Sequence, residues 1–124
     1  MVKWITKYLG VKDADSKLKE DEYGSIIVDI RDIKDGSITS AEVTKVFNRV
    51  FATAASGKKL GTKVIIQCQA GLSRSPAFVA AIFVYANDME WEDAIDYIKK
   101  KVPEAQINTD LLASLKAAFG EVGQ

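Results

Sequence analysis

The chain has 124 residues, with 17 Lys+Arg against 17 Asp+Glu and no histidine. That length suits one domain with a real core, here expected over residues 1–124. The balanced charge gives no footprint for nucleic acid or a membrane surface. The missing histidine excludes Ser-His and Cys-His catalysis within the chain and argues against a zinc site.

Cys68 is the only cysteine, so no intrachain disulfide can form. Met1-Val2-Lys3-Trp4 leads into mixed polar residues and not into an apolar leader. A lone thiol in such a chain fits a reducing, cytoplasmic setting. The longest apolar stretch, Ala77 to Ala86, is too short to span a bilayer and reads as a buried core helix.

Val2 to Gly10 reads as a short strand or extended entry, and Asp13 to Asp21 as a polar loop or short helix. Ile26-Ile27-Val28-Asp29-Ile30 is β-branched and predicts a buried strand. Arg31 to Ser37 carries the turn residues Asp32, Asp35 and Gly36. Ser40 is the expected N-cap of a helix with Glu42 in its first turn. Val43, Val46, Phe47, Val50, Phe51 and Ala54 follow at helical spacing. Lys58 to Thr62 reads as an exposed linker, and Lys63 to Gln67 as the second confident strand.

Pro76 falls in the first turn of the next helix, where its missing N–H costs little. Met89 to Val102 is amphipathic, with Trp91, Ala94, Ile95 and Ile98 on one face, and Pro103 ends it. A last helix is expected from Thr109 to Phe119, with Leu111, Leu112, Leu115 and Phe119 inside and Gly120 as its stop. Strands alternating with helices predict an α/β fold, a mainly parallel central sheet flanked by helices. Such sheets bind ligands beyond the carboxyl ends of their strands, which is where Cys68 falls.

Cys68-Gln69-Ala70-Gly71-Leu72-Ser73-Arg74-Ser75 thus joins a strand to a helix N-terminus. The helix dipole and Arg74 both favour the thiolate of Cys68, the nucleophilic form. Gln69, Ala70, Gly71, Leu72, Ser73 and Arg74 supply backbone N–H groups in a tight arc suited to phosphate oxygens. Gly71 can take a positive φ and lets the backbone approach a ligand closely. Arg74 offers a planar fork for bidentate contact with phosphate and for the charge that spreads in a transition state. Ser75 can donate a hydrogen bond to the Cys68 sulfur. A single cysteine at a strand end is commonly an inert core residue. The matching Gly71, Arg74 and Ser75, with a strand before and a helix after, make coincidence a poor explanation.

Cys68-X5-Arg74-Ser75 resembles the phosphate-binding loop of the cysteine-dependent protein tyrosine phosphatases, and its wording is most similar to the dual-specificity group. Tyr8-Leu9-Gly10, Trp91-Glu92-Asp93-Ala94 and the run from Lys101-Val102-Pro103 to Asn108 resemble other parts of that group. The resemblance implies a phosphatase-like fold, a phosphocysteine intermediate on Cys68 and no metal or cofactor. It implies a phosphorylated protein or peptide as substrate, bearing phosphotyrosine and also phosphoserine or phosphothreonine. It also implies an aspartic acid, on a separate loop, that protonates the leaving oxygen. Asp32 and Asp35 lie 36 and 33 residues before Cys68. Asp32 is preferred because it ends an Ile-Val-Asp-Ile-Arg-Asp run like the family's strand-then-acid pattern; Asp35 is the alternative, and Asp29 belongs to the strand.

The chain departs from the family in two places. Gln67 stands where the family has a histidine that orders the loop and keeps the sulfur ionised, and glutamine brings no positive charge. The stretch between the N-terminal strand and the acid loop is short. A sheet strand is therefore expected to be missing and the pocket to be shallow. The competing readings are a phosphate-binding module with little turnover and a phosphatase of non-protein phosphate esters. The chain is expected to act as a monomer.

Overall fold

The computed structural model describes residues 1–119. The expected stop at Gly120 lies outside them.

Four strands form one sheet: β1 (Lys3–Trp4), β2 (Leu9–Asp13), β3 (Ile26–Asp29) and β4 (Val64–Cys68), in the order β1-β2-β4-β3. β1 and β2 are antiparallel, whereas β4 runs parallel to both of its neighbours. The fold is therefore α/β with a mixed, mostly parallel sheet. Every residue of β4 is buried, as the near-continuous apolar run Val64-Ile65-Ile66 requires of a central parallel strand.

The N-terminal segment differs from its sequence reading. The strand read at Val2 to Gly10 splits in two, and the second piece continues through Val11, Lys12 and Asp13. Lys12 hides this strand in the sequence, because a buried lysine breaks the apolar pattern. The polar segment after it holds only one 3₁₀ turn, Glu20–Glu22. β3 ends the sheet, with no strand beyond it among the described residues.

Four helices complete the fold: α1 (Ser40–Leu60), α2 (Arg74–Asn87), α3 (Trp91–Lys101) and α4 (Thr109–Ala118). Thr39, not Ser40, caps α1. Its side chain accepts from the Glu42 N–H at 3.1 Å while Glu42 Oε1 accepts from the Thr39 N–H at 2.9 Å, a reciprocal capping box. The expected linker at Lys58 is still helical to Leu60, and the chain turns only at Gly61, which has φ 74°. Gly57 is needed where the helix passes the sheet, because a Cβ there would lie 2.5 Å from Val64 Cγ2.

α2 is the buried core helix that its composition predicts: Ser75 to Phe83 are all buried. Its apolar face and those of α1, α3 and α4 meet the sheet in one cluster that includes Phe78, Ile66, Val50, Ile98, Leu111 and Leu115. Each such side chain, fully buried, contributes roughly 1.5–3 kcal/mol of transfer free energy. Leu112 is only partly buried, unlike its helix mates Leu111 and Leu115. This core fixes the end of β4 against the start of α2, and the connecting loop inherits that rigidity.

Candidate active site

Cys68 ends β4 and is 2% exposed. The Ser75 N–H, in the first turn of α2, donates to its Sγ at 3.4 Å. The Ser75 hydroxyl does not make the expected bond: its Oγ is buried and has no partner among the described residues. It is a spare donor or acceptor in the first turn of α2, of a kind that is costly to leave unused.

Between them the chain turns at Gly71, which has φ 73°. A Cβ there would stand 2.7 Å from both Asp13 N and Lys12 C. Only glycine allows both the backbone angle and this approach to the end of β2. The Ala14 N–H donates to Gln69 O at 3.0 Å and the Gln106 N–H to Leu72 O at 2.8 Å, which pins the loop on two sides. These contacts use its carbonyls. Among the described residues, the N–H groups of Gln69, Ala70, Gly71, Leu72 and Ser73 donate to no protein acceptor. Such a set of free donors beside a helix N-terminus is suited to an oxyanion.

Ser73, at the N-cap of α2, makes no capping bond and spends its hydroxyl elsewhere. It donates to Asp35 Oδ1 at 2.6 Å and accepts from the Asn108 N–H at 2.9 Å. Asn108 in turn caps α4 through Oδ1. Thus three segments far apart in sequence meet at one hydroxyl. Asn108 is a locally legible N-cap, but its backbone contact with Ser73 is signalled by no local pattern.

Arg74 reaches across to the segment after β3, its Nη1 donating to Ile33 O at 2.7 Å and to Arg31 O at 3.3 Å. These carbonyls flank Asp32, yet the Asp32 carboxylate itself pairs with Arg49 Nη2 at 3.2 Å and is exposed. The structure therefore brings Cys68, Arg74, Ser75 and Asp35 together around the loop. It joins Asp32 to α1 instead.

Gln67 sits beneath the loop in a chain of polar contacts. Its Oε1 accepts from Lys12 Nζ at 2.7 Å, and its Nε2 donates to Asp29 Oδ2 at 3.2 Å. Asp29 is also held by Arg31, whose Nε and Nη2 approach its carboxylate at 3.0 and 2.8 Å. The Arg31 hydrogen bonds hold the Asp29 carboxyl below its ordinary range and raise the guanidinium in return. Asp13, at the end of β2, is lowered to about 2, chiefly by the Ser16 hydroxyl. No group of three or more metal-ligating side chains is found among the described residues, and no helix there is long and apolar enough to cross a membrane.

Known proteins resemble this chain in sequence and in fold. The chain is 32% identical over 69 residues to mouse dual specificity protein phosphatase 12, covering 56% of this chain and 20% of that protein. It is 29% identical over 83 residues to human dual specificity protein phosphatase 5, covering 67% of this chain and 22% of that one. The chain thus spans less than a quarter of the length of either relative. The crystal structure of human tyrosine phosphatase-like serine/threonine/tyrosine-interacting protein superposes with a TM-score of 0.78 at 20% identity, over 99% of this chain and 98% of that one. The family model described as the dual specificity phosphatase catalytic domain matches residues 4–120. The chain belongs to the dual specificity phosphatase catalytic-domain family.

Proposed function

We propose that this domain hydrolyses phosphate monoesters of tyrosine, and of serine or threonine, in proteins or peptides. The observation that carries the reading is a run of loop N–H groups without protein acceptors between Cys68 and Arg74, with the Ser75 N–H on the Cys68 sulfur. The phosphoryl oxygens bind to those donors and to the guanidinium. The Cys68 thiolate attacks phosphorus, and the bond to the ester oxygen breaks as a carboxylic acid protonates that oxygen. The same carboxylate then takes a proton from water, which attacks the phosphocysteine, releasing phosphate and the thiolate. Arg74 and the N–H groups carry the charge that spreads over the equatorial oxygens.

Asp35 is the better-supported acid. Its carboxylate is tethered to the loop through Ser73, whereas Asp32 is engaged by Arg49. This reverses the order of preference drawn from the sequence.

The test is hydrolysis of p-nitrophenyl phosphate by wild type and Cys68→Ser in EDTA and reductant. Activity lost in the variant supports a metal-free cysteine phosphatase. Well-folded wild type that binds vanadate saturably but turns nothing over favours the phosphate-binding module instead.

A further inference from the structure

Lys12 lies in β2, whose residues Leu9 to Lys12 are all buried, and is only 3% exposed. A buried ammonium needs acceptors, and this one has two: Asp13 O at 2.6 Å and Gln67 Oε1 at 2.7 Å. No carboxylate lies within ion-pair distance of it among the described residues. Asp29, the acid at the far side of Gln67, is reached only through it and is already paired with Arg31. The ammonium therefore has only uncharged acceptors and sits on the Gln67 face of the β2–β4 pair, across the sheet from the Cys68 side chain. β2 pairs Lys12 with Gln67 and Asp13 with Cys68, and Gly71 rests directly on the Lys12–Asp13 peptide.

We propose that Lys12 is a positioning residue for the nucleophile. Its buried charge, gripped by Gln67, steadies the base of the Cys68 loop and favours the thiolate. Gln67 brings no charge of its own; it holds one that comes from the neighbouring strand. The field acts across a dry strand pair, where charges are screened far less than in water. The other charged groups around Cys68 are Arg74 from α2, Asp13 from β2, Asp15 through Gln69 at 3.5 Å, Asp29 and Arg31 from the end of β3, and Asp35 through Ser73. Of these, Asp29 with Arg31 forms a closed pair, so that Lys12 and Arg74 are the cations that remain. The inference rests on Cys68 being the nucleophile of the proposed phosphatase.

Cys68 is the only thiol, so its alkylation by iodoacetamide reports on it alone, without any turnover. The rate is followed against pH for wild type, Lys12→Met, Lys12→Gln and Lys12→Arg, with far-UV circular dichroism and Tm as checks on folding. Lys12→Met and Lys12→Gln should move the alkylation midpoint up by about half a pH unit or more. Lys12→Arg should restore most of the shift, and the acid limb of kcat/KM should follow. Lys12→Gln keeps a hydrogen-bonding side chain and decides the matter if Lys12→Met does not fold. An unchanged midpoint in a folded neutral variant overturns the proposal. So does a wild-type midpoint no lower than that of free cysteine, about 8.5. Absence of phosphatase activity with a shifted alkylation profile would count against the phosphatase reading alone.

Discussion

The Asp35 carboxylate and the Ser73 hydroxyl meet at 2.6 Å, joining the segment after β3 to the loop that follows Cys68. Ser73 also accepts from the Asn108 N–H, so one hydroxyl ties the candidate acid, the candidate phosphate loop and the entry to α4. This contact separates two aspartates only three positions apart in sequence.

Asp35→Asn should slow hydrolysis of an alkyl phosphate by about 10²-fold or more, and of an activated aryl phosphate far less, because only the poor leaving group needs the proton. Asp32→Asn should change both rates little. Steady-state kinetics on the two esters checks this; the reverse pattern would return the acid to Asp32.

Arg74→Lys keeps the charge but loses the planar fork and its reach to Ile33 O. Turnover should fall by about 10²-fold or more, with weaker vanadate binding. Cys68→Ser should abolish turnover and leave vanadate binding largely intact. Titration of both variants with vanadate separates binding from chemistry.

Gly71→Ala adds a Cβ 2.7 Å from the β2 backbone at a residue with φ 73°. The left-handed angle alone costs about 1–2 kcal/mol, and the clash adds to it. Denaturant unfolding should show that loss, and activity should fall further than stability because the loop must shift. Thr39→Ala, which removes the α1 cap far from the loop, should cost about 1 kcal/mol and leave activity in place.

Asp13 has a folded pKa of about 2, below its unfolded value of about 3.9. A depressed carboxylate contributes stability that is fully present above the unfolded value and is lost as pH falls through the folded one. Asp13→Asn should therefore destabilise at neutral pH by about 1–2 kcal/mol, and the gap to wild type should close between about pH 4 and pH 2. Chemical denaturation at stepped pH values reads this directly; a gap that persists at pH 2 would mean that Asp13 acts through geometry alone.

β4, α2 and the α/β class were legible because their signals are local. Val64-Ile65-Ile66 is a β-branched run, Ala77 to Phe83 is apolar throughout, and Cys68-X5-Arg74 sits at the boundary between them. β2 was read only in part, because Lys12 looks exposed until Gln67 is seen to receive it. The α1 cap is ambiguous in the sequence, since Thr39 and Ser40 are both good caps and only the reciprocal bond with Glu42 chooses between them.

The order of residues along the chain determined which groups could do the chemistry: one thiol, an arginine six positions on, a glycine between them and aspartates after a strand. Bond-length spacing and helix and strand periods act over a few residues, so these features are visible in the sequence alone. Only the tertiary structure decided which aspartate touches the loop, that Ser75 meets the sulfur through its N–H, and that a lysine from β2 lies beneath Gln67. Those contacts join residues 38, 7 and 55 positions apart. Packing of the core sets such distances, and no local propensity encodes them.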